Sequence, residues 1–122
     1  AKVSQVGAAC HTGNRTCFFN NIVKKEYVEK NPLTVLESVY AVIVDRMKNP
    51  KEDSYTNAVM EKGIDEILKK LGHECTEIIL AAKNPDSDDL KFEISDFMYH
   101  CMILMAQKNI TWAEIAGELA QR

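Results

Sequence analysis

A chain of 122 residues with 46% hydrophobic content holds enough apolar material for one domain with a core of its own. Fifteen basic against eighteen acidic residues leave a net charge of -3, and so even a mixture excludes the basic footprint of a nucleic-acid binder. No run approaches the roughly 18 consecutive apolar residues of a membrane span, and the opening AKVSQVGAAC lacks the charged start and apolar stretch of a signal peptide, so the expected setting is the cytoplasm, away from membranes.

In chain order, residues 1–20 carry strand and turn signals: Val3 and Val6 precede Gly7, and CHTGNRTCFF gathers Gly, Asn and Thr before an aromatic pair. The polar stretch at 21–32 reads as a linker. From residue 33 to 122 the pattern is helical, and the expected class is all-α, an antiparallel helical bundle. Thr34, with Glu37 three residues on, has the form of a capping box for a helix ending near Lys48, before Pro50. A short helix over 55–62 follows. Beyond Gly63, Ile64, Ile67, Leu68, Leu71, Cys75 and Ile78 recur at spacings of three and four, which predicts a long amphipathic helix. It stops at Asn84-Pro85-Asp86-Ser87. Ser87, Asp88 and Asp89 open the next helix, to about Lys108, and Thr111 with Glu114 caps a last one.

Of the four cysteines, Cys75 and Cys101 sit inside apolar helical patterns and are expected to be small core residues. The helix from Ser87 carries apolar residues nearly all round, among them Phe92, Ile94, Phe97, Met98 and Met102. Such a helix is buried on every side, which four helices, several of them short, can hardly achieve, so a homodimer built around it is expected.

Two pairs of acids break this apolar pattern. Glu93 and Asp96 are spaced i, i+3 and share a helix face, with His100 one turn further; Glu74 and Glu77 repeat the spacing on the preceding helix. Glu77 and Glu93 stand equally far from Pro85 along the chain, and so do Glu74 and Asp96. A hairpin folding about Pro85 would set the four carboxylates at one level. Gathered without a cation, they would repel one another and some would have to protonate. A hard divalent ion with oxygen ligands answers this, and Mg²⁺, which bridges carboxylates to phosphate oxygens, suits the set. The implied chemistry is hydrolysis of a nucleoside triphosphate-like substrate between its α and β phosphates. Spacing alone leaves a storage or structural metal site in a non-catalytic helical oligomer equally open.

The run SYTNAVMEKGIDEILKKLGHECTEIILAAKN, followed by EISDFMYHCMILMA, resembles the phosphoribosyl-ATP pyrophosphohydrolases, relatives of the MazG-type all-α nucleotide pyrophosphohydrolases. The resemblance covers about 33–122. It implies a MazG-like homodimer, dependence on Mg²⁺, and hydrolysis of a small-molecule nucleotide, phosphoribosyl-ATP, to phosphoribosyl-AMP and pyrophosphate in histidine biosynthesis. Glu74, Glu77, Glu93 and Asp96 would be the metal ligands and catalytic residues; Arg46, Ser54, Tyr55, Thr56, Lys62, Lys70 and Lys83 would contact phosphate or ribose. His73 stands where the family usually has a further acid. HECTE is not a zinc-protease HExxH, because the second His is absent.

The segment QVGAACHTGNRTCFF is similar to the end of phosphoribosyl-AMP cyclohydrolase, in which the matching cysteines, here Cys10 and Cys17, hold Zn²⁺. On this resemblance residues 1–20 are the remnant of a cyclohydrolase domain, inactive by itself, and the chain is part of a longer bifunctional enzyme. A house-cleaning pyrophosphohydrolase acting on dUTP, dCTP or modified triphosphates is the alternative within the superfamily.

Overall fold

The computed structural model describes residues 31–122, and every regular element among them is an α-helix. In chain order these are α1 (Thr34–Lys48), α2 (Tyr55–Glu61), α3 (Ile64–Ala81), α4 (Asp88–Gln107) and α5 (Trp112–Ala120). Over these residues the chain is all-α, as its periodicity predicts. The cyclohydrolase-like segment at 1–20 and nearly all of the linker at 21–32 lie outside the described residues. The chain divides into two units between Val39 and Tyr40, within α1.

In the first unit, α1 starts differently from expectation. The Asn31 side-chain oxygen accepts from the Leu33 amide at 2.9 Å, and the Asn31 carbonyl accepts from the Thr34 hydroxyl at 2.7 Å. Thr34 is therefore the first helical residue, its hydroxyl turned back as a donor, and the turn at Asn31 does what the Thr34/Glu37 box was expected to do.

In the second unit, α1 contributes the fully buried Ile43. The Ser54 hydroxyl caps α2 by accepting from the Asn57 amide at 3.2 Å, and the Asn57 side chain in turn donates to the Arg46 carbonyl at 2.8 Å and accepts from Lys51. Between α2 and α3 the backbone passes through Gly63 at φ +95°, a conformation that side chains other than glycine's rarely allow. The main packing contact is α3 against α4. Ile67 and Ile103, both fully buried, stand equally far from Pro85, so the hairpin has the register expected of it. In the turn the Asp86 carboxylate accepts from the Asp88 amide at 2.8 Å, whereas Ser87, at the N-cap, makes no side-chain cap bond.

Along α4, Met102, Ile103, Met105 and Ala106 are buried, while Phe92 remains 64% exposed and Ile94 is also exposed. Within one chain the helix is thus covered over its C-terminal half and bare near its start, where continuous burial was expected. Its end is a Schellman motif: the Ile110 amide donates to the Met105 carbonyl at 2.8 Å and the Asn109 amide to the Ala106 carbonyl at 3.2 Å, with Asn109 at φ +59°. The Ile110 carbonyl then accepts the Tyr40 hydroxyl. α5 opens on the complete Thr111/Glu114 capping box that its sequence predicts. Among the described residues no helix is long and apolar enough to cross a membrane.

Candidate metal centre

Glu74 lies on the apolar stripe by which α3 packs on α4, and only 7% of it is exposed. Among the described residues its Oε1 is a buried side-chain oxygen with no hydrogen-bond partner. A buried carboxylate so placed is unstable as an anion. Burial chiefly, then a hydrogen-bond contact with Asp96, then the negative charges of Asp96, Glu93 and Glu77 push the Glu74 carboxyl up to about 7. Glu93 is also held above the ordinary carboxylate range, first by burial and then by Glu77, Asp96 and Asp89, with His73 acting in the opposite sense. His73 Nε2 is 3.4 Å from Glu77 Oε2, on the open side of the cluster. The structure therefore brings Glu74 to Asp96 and Glu77 to Glu93, the two facing pairs implied by the symmetry about Pro85.

His100 closes the inner side and is 3% exposed. Its Nδ1 lies 2.8 Å from the Asp96 carbonyl oxygen and 3.7 Å from Asp96 Oδ1, and its Nε2 lies 2.8 Å from the Tyr55 hydroxyl. One ligand atom each from Glu74, Asp96 and His100 fall within 4.8 Å of one another, close enough to surround a single ion. The fit of a cation rests on the donor set and on the orphan oxygen of Glu74: carboxylates gathered around a buried acceptor with no hydrogen-bond partner among the described residues are stabilised by a hard divalent ion or, without one, by protonation.

The other residues singled out in the sequence are dispersed. Thr56 is buried and its hydroxyl shares a hydrogen bond with the Tyr99 hydroxyl. Tyr55 reaches His100 instead of open space, and burial, followed by the charges of Asp96 and Glu74, pushes its hydroxyl up to about 12. Arg46, largely covered, lies 3.3 Å from Asp45; burial pushes the Tyr99 hydroxyl up, and the Thr56 hydrogen bond and the Arg46 charge oppose that rise without reversing it. Lys70 pairs with Glu66 at 3.9 Å, one turn before Glu74. Lys62 ends α2 and Lys83 follows the end of α3. At about 1.5 Å per residue they are roughly 30 Å apart, too far to hold the same phosphate from one chain. Cys75 is exposed and Cys101 half-buried, so neither is the core residue expected; burial, then Cys75, pushes the Cys101 thiol up. Cys10 and Cys17 lie outside the described residues.

Reasoning from sequence passed over the tie between Tyr55 and His100. The available signal was Tyr99-His100 itself, two adjacent polar residues within the apolar run from Phe97 to Ala106, with His100 at i+4 from Asp96.

The family described as Phosphoribosyl-ATP pyrophosphohydrolase matches residues 36–122, a span that includes all four acids and both members of the Tyr55/His100 pair. The chain belongs to the phosphoribosyl-ATP pyrophosphohydrolase family. It is similar to the "Phosphoribosyl-ATP pyrophosphatase" of Clostridium novyi, with 51% identity over 90 residues covering 74% of this chain and 82% of that protein. It is also similar to that of Bacillus cereus, with 47% identity covering 76% and 84%. A longer match, 44% identical over 121 residues, is to the "Histidine biosynthesis bifunctional protein HisIE" of Caldanaerobacter subterraneus; it takes in 99% of this chain and 58% of that protein, so the chain spans little more than half of that relative's length.

Proposed function

We propose that this family member hydrolyses phosphoribosyl-ATP, with Mg²⁺, to phosphoribosyl-AMP and pyrophosphate, a step of histidine biosynthesis carried out in the cytoplasm. The observation that carries the reading is the facing of Glu74 and Glu77 on α3 with Asp96 and Glu93 on α4, around a buried carboxylate oxygen that has no hydrogen-bond partner among the described residues. The names of the shorter relatives, at 47% and 51% identity, support the substrate.

Glu74, Glu77, Glu93 and Asp96 would hold the metal. When bound, Mg²⁺ would offset the charge of the acids and of the substrate's phosphates and polarise the phosphoryl oxygens for attack by water. The chain's own part is to keep the four acids at one level on two rigid helices and to exclude water from the inner side through Ile67, Ile103 and the His100 ring. Lys70, on the next turn of α3, and Arg46, with Ser54 and Thr56 at the start of α2, remain the proposed contacts to phosphate or ribose, whereas the Tyr55 hydroxyl is turned to His100. Lys62 and Lys83 join them on the condition that two chains share a site, as their separation along α3 requires.

That condition leads to a homodimer. Phe92 and Ile94 on α4, with Ile79 and Leu80 on α3, leave large apolar side chains in water near the hairpin turn, and covering them is worth about 25 cal/mol per Å² of area removed from solvent. The occupant we propose is a second copy. Light scattering at micromolar concentration should give twice the mass of the chain, and a monomer would overturn this part of the reading.

Residues 1–20 are proposed to be the end of a cyclohydrolase domain, with Cys10 and Cys17 as two of its Zn²⁺ ligands. The match to the bifunctional relative runs over 99% of the chain, whereas the shorter relatives cover 74% and 76% of it. The decisive experiment is pyrophosphate release from phosphoribosyl-ATP, dUTP and dCTP with and without Mg²⁺. Release that is fastest from phosphoribosyl-ATP and lost on chelation is expected. Preference for dUTP or dCTP would place the chain with the house-cleaning enzymes, and no release at all would leave the acids as structural metal ligands.

A further inference from the structure

The buried ring of His100 can be read in two ways. By distance alone it belongs to a ligand trio with Glu74 and Asp96. Its hydrogen bonds argue otherwise. A backbone carbonyl can only accept, so the nitrogen 2.8 Å from the Asp96 carbonyl, Nδ1, must carry a proton. In a neutral ring Nε2 is then bare, and the Tyr55 hydroxyl, 2.8 Å away, is the donor that occupies its lone pair. Both nitrogens are committed. A metal could take either one only by breaking a 2.8 Å hydrogen bond to a ring that is 3% exposed.

We propose that His100 is a positioning residue, held as the Nδ1–H tautomer between the Asp96 backbone and the Tyr55 hydroxyl, and that Tyr55 acts through it on Asp96 instead of touching the substrate. The inference rests on the metal-site reading above. Its geometry is economical. The ring bonds back to the carbonyl of the residue one turn earlier, so it is fixed to the same helix turn that carries the Asp96 carboxylate, with Nδ1 3.7 Å from Oδ1. The ring thus stands beside that carboxylate, which on its other side contacts Glu74. Tyr55 holds the ring from the first turn of α2, and the neighbouring Thr56 to Tyr99 bond fixes the same two turns of α2 and α4 to each other. Outer contacts of this kind set the orientation of metal ligands, and losing them weakens metal binding about 10- to 100-fold in known sites.

Two measurements test this on the full chain. In ¹⁵N-histidine NMR, Nδ1 of His100 should carry the proton and Nε2 should not, and the pattern should persist when Mg²⁺ is added. A proton on Nε2, or an Nε2 resonance that moves to a ligated position with Mg²⁺, would overturn the proposal. Calorimetric Mg²⁺ titration then compares variants. His100→Asn keeps an N–H donor near the Nδ1 position and should stay within about threefold of the parent, whereas His100→Gln, whose amide falls near Nε2, should lose about tenfold; ligation through Nε2 predicts the opposite order. Because the His100 variants alter a buried site, Tyr55→Phe provides a change at a half-exposed residue. It should weaken Mg²⁺ and lower kcat several-fold with KM nearly unchanged, while a raised KM with intact Mg²⁺ affinity would make Tyr55 a substrate contact and refute its positioning role. If the parent binds no Mg²⁺, the metal-site reading falls; if it binds and the Asn and Gln variants come out reversed, that reading stands and this inference alone fails.

Discussion

The two ends of α4 meet opposite fates. At its C-terminal end the last carbonyls are taken up by the Asn109 and Ile110 amides, the Ile110 carbonyl by the Tyr40 hydroxyl, and the next helix by a reciprocal Thr111/Glu114 box. Along its first half, Glu93 and Asp96 face Glu74 and Glu77 across the hairpin, one buried oxygen has no hydrogen-bond partner among the described residues, and two carboxyls are pushed toward protonation. Both regions belong to the same helix, built by the same hairpin. The difference is that the first satisfies every local rule at once, while the second violates electrostatics at a place where packing would readily have accepted apolar residues. This contrast is the ground on which the proposed metal site is placed along the first half of the helix and the stabilising cap at its end.

The largest effect should come from the site end. Asp96→Asn keeps the shape of the side chain and removes one charge from the proposed metal shell, so turnover should fall by orders of magnitude, since each ~1.4 kcal/mol of lost stabilisation is tenfold in rate. The melting temperature of the metal-free protein should hold or rise, because one member of a like-charged group has been neutralised. A variant that melts early yet releases pyrophosphate at the normal rate would reverse the assignment of the two regions.

A second measurement uses pH. In the folded state the Glu74 carboxyl is raised from an ordinary 4.5 to about 7, so its contribution to stability is fully present below the unfolded value and is lost as pH rises through the folded one. Urea midpoints of the metal-free protein should therefore correspond to a loss of about 2 to 3 kcal/mol on going from about pH 5 to about pH 8, because each tenfold difference in proton affinity between the folded and unfolded chain is worth ~1.4 kcal/mol. Glu93, raised in the same direction, adds to this with the same sign. Saturating Mg²⁺ binds the ionised acids and should flatten or invert the slope. A metal-free protein that becomes more stable over that interval would mean that the acids are paired with cations, as in an ordinary surface.

Much of this contrast is legible in the sequence because a helix has a fixed rise. Equal distances from Pro85 place Glu74 level with Asp96 and Ile67 level with Ile103 whatever else the chain does, and a capping box is read from two residues three apart. What stayed hidden depends on tertiary placement. The Tyr55 to His100 bond joins residues on α2 and α4, and no periodicity reports how α2 is turned. Cys75 belongs to a stripe of spacing three and four, which locates a face without giving its width; at about 100° round the helix from the buried Glu74 it falls beyond that face. At the start of α1 two capping residues compete, and Asn31, three positions upstream, wins the turn from Thr34.

The smallest expected effect belongs to the satisfied end. Thr111 accepts from the Glu114 amide at 3.2 Å through its hydroxyl, while Glu114 Oε1 accepts from the Thr111 amide at 2.8 Å. Thr111→Ala deletes the first bond and leaves the second, so one amide at the start of α5 passes to water. The residue is exposed, which lets water take over part of the lost bond, and the cost should be about 1 kcal/mol, within the ~0.5–2 kcal/mol span of such replacements. Because the capped turn lies beyond the end of α4, away from the acid level, Mg²⁺ affinity and the rate per folded molecule should remain those of the parent. Denaturant melts read the first quantity and calorimetry with a pyrophosphate assay the others. If Thr111→Ala instead weakened Mg²⁺ tenfold while barely moving the urea midpoint, the ends of α4 would be coupled and the division between a stabilising end and a chemical one would fail.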